Sequence, residues 1–171
     1  KPVWWTEIGF STSTTEYSYR DQASNTVMLY ALAQAENLAE CIVQYCLLDR
    51  ENPDEHEDNW GLVRNYMDKE HPYSAKPSYL AVCAMNNLIG GMAEYKEMLF
   101  TEEKYRAFRF YNNKLKKDVM LLNSEDVSKY LTYDLGCGSV EIYDMYGNKI
   151  DEIVSENGIY RFHAEQEPKY I

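Results

Sequence analysis

The hydrophobic pattern of the chain changes once, at the pair Gly90-Gly91. Before this pair, two nearly continuous apolar runs alternate with segments of helical periodicity. After it, the apolar residues fall in short alternating runs that are separated by Gly, Asn and Asp. Because a glycine pair interrupts regular structure, we predict two domains, residues 1–91 and residues 92–171.

The first domain is predicted to hold two strands and two helices. The strands are Lys1–Gly9 and Cys41–Leu48, and both are expected to be buried. The helices are Gln22–Leu38, with Asp21 as its N-cap, and Pro77–Ile89, which has Pro at its first turn and Gly90 after its end. The order strand, helix, strand, helix predicts a parallel β/α unit. Two strands cannot close a barrel, so this unit is expected to be incomplete.

The second domain is predicted to be all β. Its strands are expected at residues 94–100, 104–111, 115–122, 128–134, 138–144, 149–154 and 158–163, with a last stub at Tyr170-Ile171. Turn residues such as Asn112-Asn113, Gly147-Asn148 and Asn157-Gly158 separate them. Regular short strands with turn residues between them favour an antiparallel β-sandwich.

The charge of the chain argues against two classes of partner. Among 171 residues, 28 are acidic and 17 are basic, which gives a net charge of -11. Nucleic-acid binding needs a positive surface, so we expect no nucleic-acid partner, and anionic membranes are disfavoured for the same reason. The longest apolar runs, such as Val27–Ala33, have about seven residues, whereas a membrane span needs about 20. No leader segment precedes the first strand, so we expect either that a leader was removed or that the chain begins inside a longer protein.

The cysteines and histidines show no metal-binding spacing. Cys41, Cys46, Cys83 and Cys137 lack a C-x-x-C pair and lie in apolar runs, which predicts buried thiols. A disulfide framework or a metal site is the alternative. The three histidines are scattered along the chain and form no zinc pattern. We expect no metal and no cofactor.

Glu7 is the first candidate for chemistry. Parallel α/β folds place catalytic groups at the carboxyl ends of apolar strands, and Glu7 lies near such an end. Alternation along the strand puts Trp5 and Glu7 on one face. A carboxylate beside aromatic rings can attack the anomeric carbon of a sugar. The alternative is a carboxylate that faces solvent or pairs with an arginine.

Gln44 and Trp60 are candidates for contact with a substrate. Gln44 is the only clearly polar side chain in its apolar strand, so we expect it to face a polar pocket on the same side as Glu7. The alternative is a core glutamine with satisfied hydrogen bonds. Trp60 follows the acidic loop 49–59 and could stack on a sugar ring, or it could anchor the loop in the fold. The acidic loop lacks the pattern of an EF-hand, which favours a solvated loop over a cation site.

Several segments, taken together, resemble a known family. They are Lys1-Pro2-Val3-Trp4-Trp5-Thr6-Glu7-Ile8-Gly9-Phe10-Ser11-Thr12-Ser13, then Tyr45-Cys46-Leu47-Leu48-Asp49-Arg50, Asn59-Trp60-Gly61-Leu62-Val63, and Lys76-Pro77-Ser78-Tyr79-Leu80-Ala81. In this order they are similar to strand seven, strand eight and the last helix of clan A glycoside hydrolases, which are retaining (β/α)8-barrel (TIM-barrel) enzymes of carbohydrate metabolism. The β-rich remainder resembles the sandwich that often follows such barrels. The first six β/α units of the family have no counterpart in this chain.

The resemblance implies an activity and a set of site residues. Glu7 matches the catalytic nucleophile, and Gln44 stands where such enzymes commonly carry a Trp that lines the sugar subsite. Trp5 and Trp60 are further candidates for contact with the substrate. The acid/base residue of the family follows strand four, so this chain alone is expected to be inactive. The resemblance also implies a carbohydrate substrate and a secreted or cell-surface location.

A second hypothesis belongs to a different class of protein. Here residues 92–171 are the working domain, a non-catalytic carbohydrate-binding or structural module, and residues 1–91 are the remnant of a barrel. Under either hypothesis the strand Cys41–Leu48 has an open edge, and open edges promote association between chains.

Overall fold

A computed structural model describes residues 1–91, 93–100, 105–126, 130–136, 138–163 and 165–171. The chain forms two compact units, residues 1–83 and residues 84–171. The fold is of mixed α and β class, since it combines two helices with a parallel strand pair and antiparallel sheets. In the part that is described, no helix is long and apolar enough to cross a membrane.

The first unit begins with a parallel β–α–β arrangement. Its elements are β1 (Trp4–Ile8), α1 (Tyr19–Ala35), β2 (Cys41–Gln44), a short 3-10 helix (His56–Asp58) and α2 (Pro77–Leu88), whose last residues belong to the second unit. In the β1–β2 ladder, Trp4 lies opposite Cys41 and Trp5 opposite Ile42. The predicted order of elements and the parallel direction of the two strands are confirmed.

The two strands are shorter and more exposed than predicted. The strand expected over Cys41–Leu48 ends at Gln44, and the side chains of Trp4, Val43 and Leu47 are 64%, 46% and 63% exposed. The expectation that both strands are buried is therefore wrong for this chain. Parallel strands are normally buried because other elements cover both of their faces. Within the described residues, β1 and β2 form a sheet of only these two strands.

Helix α1 starts three residues earlier than predicted. Its N-cap is Ser18, whose hydroxyl accepts the backbone N–H of Asp21, while the Asp21 carboxylate accepts the N–H of Ser18. This is a reciprocal capping box, so Asp21 occupies the third helical position and is not the cap. Ala23, Val27 and Ala31, which are spaced four residues apart on one face of the helix, are fully buried.

Helix α2 matches the prediction to within one residue. It begins at Pro77, where the missing N–H costs no helical hydrogen bond, and ends at Leu88. A Cβ on Gly90 would lie 2.6 Å from the carbonyl oxygen of Asn86. The chain can therefore leave the helix along this path only with glycine at position 90.

The second unit is built from antiparallel strands. They are β3 (Ala93–Phe100), β4 (Tyr105–Asn112), β5 (Lys117–Ser124), β6 (Tyr130–Asp134), β7 (Ser139–Tyr143), β8 (Lys149–Val154), β9 (Ile159–His163) and β10 (Lys169–Tyr170). One sheet has the order β3-β4-β5-β10-β7-β8, and β6 pairs with β9 in a second, two-stranded sheet. All eight predicted segments are strands. The expected starts at residues 104 and 128 lie outside the described residues.

Residues from both sheets form the core of the second unit. Tyr105, Ala107, Met120, Leu122 and Ile142 come from the larger sheet, and Leu131, Tyr160 and Phe162 come from β6 and β9. All eight are at most 8% exposed. Residues two positions apart on β4, β5 and β9 therefore face one shared apolar layer, as alternation along a strand requires.

The cysteines are less buried than predicted. Cys41 and Cys46 are half-buried and Cys83 is exposed, and all three are free thiols. Cys137 lies outside the described residues. The expectation of buried thiols is wrong for Cys83, because this residue lies on the exposed side of an amphipathic helix.

The hydrogen bonds that Glu141 in β7 accepts are expected to weaken in acid. Its carboxylate accepts hydrogen bonds from Lys149 (2.9 Å), Tyr143 (3.0 Å) and Lys117 (3.3 Å). These bonds lower the pKa of Glu141 from 4.5 to about 2, with Lys149 as the largest cause. Since the folded-state pKa lies below the unfolded one, the stabilisation is complete above about pH 4.5 and is lost as the pH falls toward 2.

As the pH is lowered over this range, the urea concentration that unfolds half of the second unit should fall. We expect this fall to be less steep in Glu141→Gln than in the unmodified chain. Circular dichroism of the β signal measures this difference. Glu156→Gln, which changes an exposed carboxylate, is the matched control and should follow the unmodified chain. Parallel pH profiles of Glu141→Gln and the unmodified chain would contradict the assignment.

Candidate functional site

Glu7 lies near the carboxyl end of β1 and is exposed. The β1–β2 register shifts between Trp5 and Ile8, so Thr6 and Glu7 are both exposed instead of alternating. A bulge of this kind re-aims side chains at the end of a strand. Among the residues that the structure describes, none donates a hydrogen bond to the Glu7 carboxylate. The carboxylate is therefore free to meet a group that approaches this end of the strand pair.

Gln44 does not share a face with Glu7. It lies opposite Ile8 in the ladder, and its side-chain oxygen accepts the hydroxyl of Tyr30 in α1 at 3.2 Å. Its side-chain nitrogen donates to the carbonyl of Tyr45 at 3.0 Å. The prediction that Gln44 faces the same side as Glu7 is therefore wrong. The nearly continuous apolar run of β2 carries no alternation, so the sequence could not show which of its faces meets the helix.

Trp60 is packed among other rings. Its indole lies edge-on to His56 at 4.8 Å and to Tyr45 at 6.3 Å between ring centroids. The side chain is half-buried, and its ring nitrogen has no hydrogen-bond partner in the described part of the chain. The Nδ1 atom of His56 is also hydrogen-bonded to the Glu16 carboxylate, at 2.5 Å. This geometry favours the interpretation of Trp60 as an anchor for the loop over that of an open stacking surface.

The structure gathers part of the predicted site around Gly9. A Cβ on Gly9 would lie 2.4 Å from the carbonyl oxygen of Tyr45, 2.7 Å from the Gln44 side chain and 3.1 Å from the Trp60 ring. Trp5 is half-buried opposite Ile42, nearer the middle of the strand. Gln44 and Trp60 therefore both lie against Gly9, which follows the end of β1 and is two residues after Glu7.

A buried ion pair holds this end of the strands together. The Lys76 ammonium is fully buried, lies 2.6 Å from the Asp49 carboxylate, and donates to the Thr12 hydroxyl at 2.8 Å. The Asp49 carboxylate also accepts the backbone N–H of Gly61 at 2.8 Å. Thr12 follows β1, Asp49 follows β2, and Lys76 precedes α2. One ion pair thus connects the loops that carry the candidate site to the start of a helix.

Burial opposes ionisation of both members of this pair. Desolvation raises the pKa of Asp49 and lowers the pKa of Lys76, and the hydrogen bond between them counteracts both shifts. Each charge is therefore tolerated because the other is present. Sequence reasoning did not select Lys76 as a site residue, since lysine is almost never fully buried.

A second buried polar contact links the same loops. Gln22 of α1 is fully buried and donates to the carbonyls of Phe10 (2.8 Å) and Gly61 (3.2 Å). Its side-chain oxygen accepts the hydroxyl of Ser78 in α2 at 2.6 Å. All the polar groups of the Gln22 amide are therefore used, and both loops are held by α1 as well as by the ion pair.

The acidic loop is held by its own hydrogen bonds. The Asn59 amide donates to the carbonyls of Asn52 and Glu55 at 2.8 and 2.7 Å, and Asp58 accepts the N–H of Asn52. A cavity of about 400 Å³ lies beside it, between Leu48 and Tyr66. Within the described residues, no three His, Cys, Asp or Glu side chains are placed to hold a metal ion.

We expect Gly9→Ala to destabilise the first unit by about 1–3 kcal/mol. The added Cβ would collide with the Tyr45 carbonyl, which is backbone and cannot rotate away. Urea unfolding followed by tryptophan fluorescence measures the change, since the three tryptophans all lie within residues 1–60. The control is Gly91→Ala, whose Cβ would meet nothing within 4 Å. Equal stability of the two variants would contradict the close approach at Gly9.

No protein-family model matches the sequence, and no curated protein matches it significantly.

Proposed function

We propose that the chain is the C-terminal part of a retaining glycoside hydrolase that acts on O-glycosidic bonds of a carbohydrate. In this proposal residues 1–91 form the last two β/α units of a (β/α)8 barrel, and residues 92–171 form an appended β-sandwich. Glu7 is the nucleophile of the complete enzyme. The observation that carries the proposal is an exposed carboxylate near the carboxyl end of a parallel strand, without a hydrogen-bond donor in the described part of the chain.

Exposed apolar residues in and beside β1 and β2 support the barrel part of the proposal. Trp4 and Val43 in the strands, and Val3 and Leu47 just outside them, are each at least 46% exposed. Barrel strands are covered by helices outside and by packed side chains inside. Further β/α units would cover these residues, and without them we expect chains to associate through the open edges of β1 and β2.

Glu7 would act as follows in the complete enzyme. Its carboxylate attacks the anomeric carbon and forms a glycosyl ester, while a second carboxylic acid protonates the departing oxygen. That second group then takes a proton from water, which attacks the ester and releases the sugar with retained configuration. The two carboxyl groups have to lie about 5–5.5 Å apart. By the family pattern the second one belongs to strand four, outside this chain.

A second candidate function is a non-catalytic carbohydrate-binding or structural module. It is favoured by the second unit, which is compact, has a core of its own and contains a cavity of about 720 Å³. Cavities of about 300–1,000 Å³ are typical of sites for small ligands. On this alternative, the first unit serves only to present the second.

The test compares this chain with a longer protein that includes the preceding β/α units. Both are incubated with a panel of fluorinated glycosides that form long-lived esters with a nucleophilic carboxylate, and the site of labelling is located by mass spectrometry. We expect labelling of Glu7 in the longer protein and no turnover of 4-nitrophenyl glycosides by this chain alone. Labelling of another carboxylate would refute the nucleophile assignment. Sugar binding by the second unit, without labelling in either protein, would support the alternative.

A further inference from the structure

The loop between Val63 and Pro77 displays two exposed tyrosines. The ring centroids of Tyr66 and Tyr73 lie 6.4 Å apart, and the ring planes are inclined by 31°. The two residues are 55% and 64% exposed, so much of each ring is open to solvent. Aromatic side chains carry large apolar surfaces, which folded chains usually bury. The pair therefore offers a surface on which the apolar face of a ligand can lie.

Hydrogen bonds hold both tyrosines in position. The Asn65 side chain is buried and donates to the backbone carbonyl of Arg50. The backbone carbonyl of Asn65 accepts the N–H of Tyr73 at 3.4 Å. The Tyr66 hydroxyl donates to the Glu51 carboxylate at 3.1 Å. Because this loop is held without a ligand, binding to it would cost little ordering of the chain.

Polar side chains surround a cavity beside Tyr66. The cavity has a volume of about 400 Å³, and its lining includes Arg50, Glu51 and Asp58. Sites for small ligands typically have volumes of about 300–1,000 Å³. The Arg50 guanidinium donates to the Tyr45 hydroxyl at 2.8 Å, which uses one of its five N–H groups. The cavity therefore offers hydrogen-bond donors, hydrogen-bond acceptors and an aromatic wall.

The charges of the lining indicate a neutral ligand with hydroxyl groups. An anion would meet the carboxylates of Glu51 and Asp58, and a cation would meet the Arg50 guanidinium. A hydroxyl group can accept from a guanidinium and donate to a carboxylate, so it suits both kinds of charge. A sugar unit has several hydroxyl groups and also a face of C–H groups that can lie on the Tyr66 ring.

The cavity lies at the same end of the strand pair as the proposed nucleophile. Strands β1 and β2 are parallel, so the loops that follow them leave the same edge of the sheet. Glu7 is near the carboxyl end of β1, and the cavity is lined by residues 48–51, 58, 65 and 66, all of which follow β2. Barrel enzymes bind their substrates at this end of the strands. The cavity is thus separate from Glu7 but on the side from which a substrate reaches it.

The surroundings of the two tyrosines are charged. Lys69, Glu70 and His71 belong to the same loop and are exposed. Charged side chains are almost never fully buried without partners. We therefore expect this loop to remain accessible in a longer protein that contains the preceding β/α units.

We propose that this cavity is a subsite for a neutral sugar unit of the substrate, distinct from the unit that Glu7 attacks. The sugar lies on the Tyr66 ring, and its hydroxyl groups bond to the charged side chains of the lining. Tyr73 contacts the next unit of the same glycan. This subsite rests on the proposed function for the class of its ligand, and it predicts that the substrate is an oligosaccharide.

The test is the binding of neutral tetrasaccharides to the full chain, isotope-labelled for NMR. The probes are cellotetraose, mannotetraose and xylotetraose, and tetragalacturonate is the charged control of equal length. We expect at least one neutral probe, at millimolar concentration, to shift the amide signals of Glu51, Tyr66 and Tyr73. Tetragalacturonate should leave these signals unchanged.

Three variants test whether the ring carries the binding. Tyr66→Ala should weaken binding by about fivefold or more, whereas Tyr66→Phe keeps the ring and should bind within about threefold of the unmodified chain. Tyr79→Ala changes an exposed tyrosine of α2, outside the cavity lining, and should bind as the unmodified chain does. Tryptophan fluorescence checks that each variant is folded.

Four results would overturn the subsite. They are the absence of shifts at these amides with all three neutral probes, an equal response to tetragalacturonate, and unchanged binding by Tyr66→Ala. The fourth is an equal loss in Tyr66→Phe and Tyr66→Ala, because the hydroxyl and not the ring would then be responsible.

Failure of the subsite and failure of the proposed function are distinguishable. The proposed function predicts labelling of Glu7 in the longer protein, whereas the subsite predicts sugar binding by this chain alone. Binding that depends on Tyr66, without labelling of Glu7, would support the subsite and refute the nucleophile. Labelling of Glu7, without binding at Tyr66, would do the reverse.

Discussion

Replacing Lys76 with alanine is expected to destabilise the first unit by about 3–5 kcal/mol. The Asp49 carboxylate, which is only 8% exposed, would keep the Gly61 N–H as its one remaining hydrogen-bond donor. The Thr12 hydroxyl would lose the hydrogen bond that Lys76 donates to it. Removing one member of a buried ion pair costs more than the pair itself contributes, because the remaining charge is not solvated. Urea unfolding followed by tryptophan fluorescence reports this unit selectively, since Trp4, Trp5 and Trp60 all belong to it.

Two further variants separate the charge effect from a general loss of packing. Lys76→Met combined with Asp49→Leu removes both charges and keeps apolar volume, so we expect it to recover much of the lost stability. Lys69→Ala removes an exposed lysine of the same unit and should change stability by less than about 0.5 kcal/mol. If the double variant is as unstable as Lys76→Ala, the buried charge is not the cause.

Glu7→Gln is expected to reduce turnover by roughly 10⁴-fold or more in the complete enzyme of our proposal. The amide has nearly the same shape as the carboxylate but cannot form the glycosyl ester. Its effect on folding should be small, because Glu7 is exposed and accepts no hydrogen bond within the described residues. Steady-state kinetics with a 4-nitrophenyl glycoside measures the loss, and tryptophan fluorescence checks the fold.

The chemical role of Glu7 has a separate signature. In Glu7→Ala, a small anion such as azide or formate can enter the vacated space and attack the anomeric carbon, so added azide should restore part of the turnover. A residue that acts only on structure would show no such rescue. Glu36→Gln, an exposed change at the end of α1, is the matched control and should retain activity. Full activity of Glu7→Gln would exclude Glu7 as the nucleophile.

The strands of the second unit could be located from sequence because their limits are set locally. The turn at Asp144–Asn148 shows why: the Asp144 side chain accepts the N–H groups of Tyr146 and Asn148, and Gly147 has a φ of 84°. Asp, Asn and Gly favour such a turn wherever they occur together. The order of the strands within the sheet could not be predicted in this way. Only the folded chain brings Lys169 and Tyr170 back between β5 and β7.

The faces of the first strands were harder to predict for a related reason. The apolar run of β2 is nearly unbroken, so it contains no alternation from which a face could be assigned. The shift of register between Trp5 and Ile8 then breaks the alternation that β1 does show.

The start of α1 was predicted three residues late because both Ser18 and Asp21 are good capping residues, and only the reciprocal hydrogen bonds distinguish their roles.

The sequence by itself determined the kinds of element, their order along the chain, the parallel direction of β1 and β2, and the position of Glu7 near the end of its strand. These properties follow from periodicity and from turn and capping residues, which act over a few positions. Tertiary structure alone decided that Gln44 meets Tyr30, that Lys76 is buried against Asp49, and that Tyr170 lies between Leu121 and Tyr143. Each of these depends on residues at least 14 positions apart. Nothing in the local sequence around one partner specifies the other, because their contact is set by the packing of whole elements.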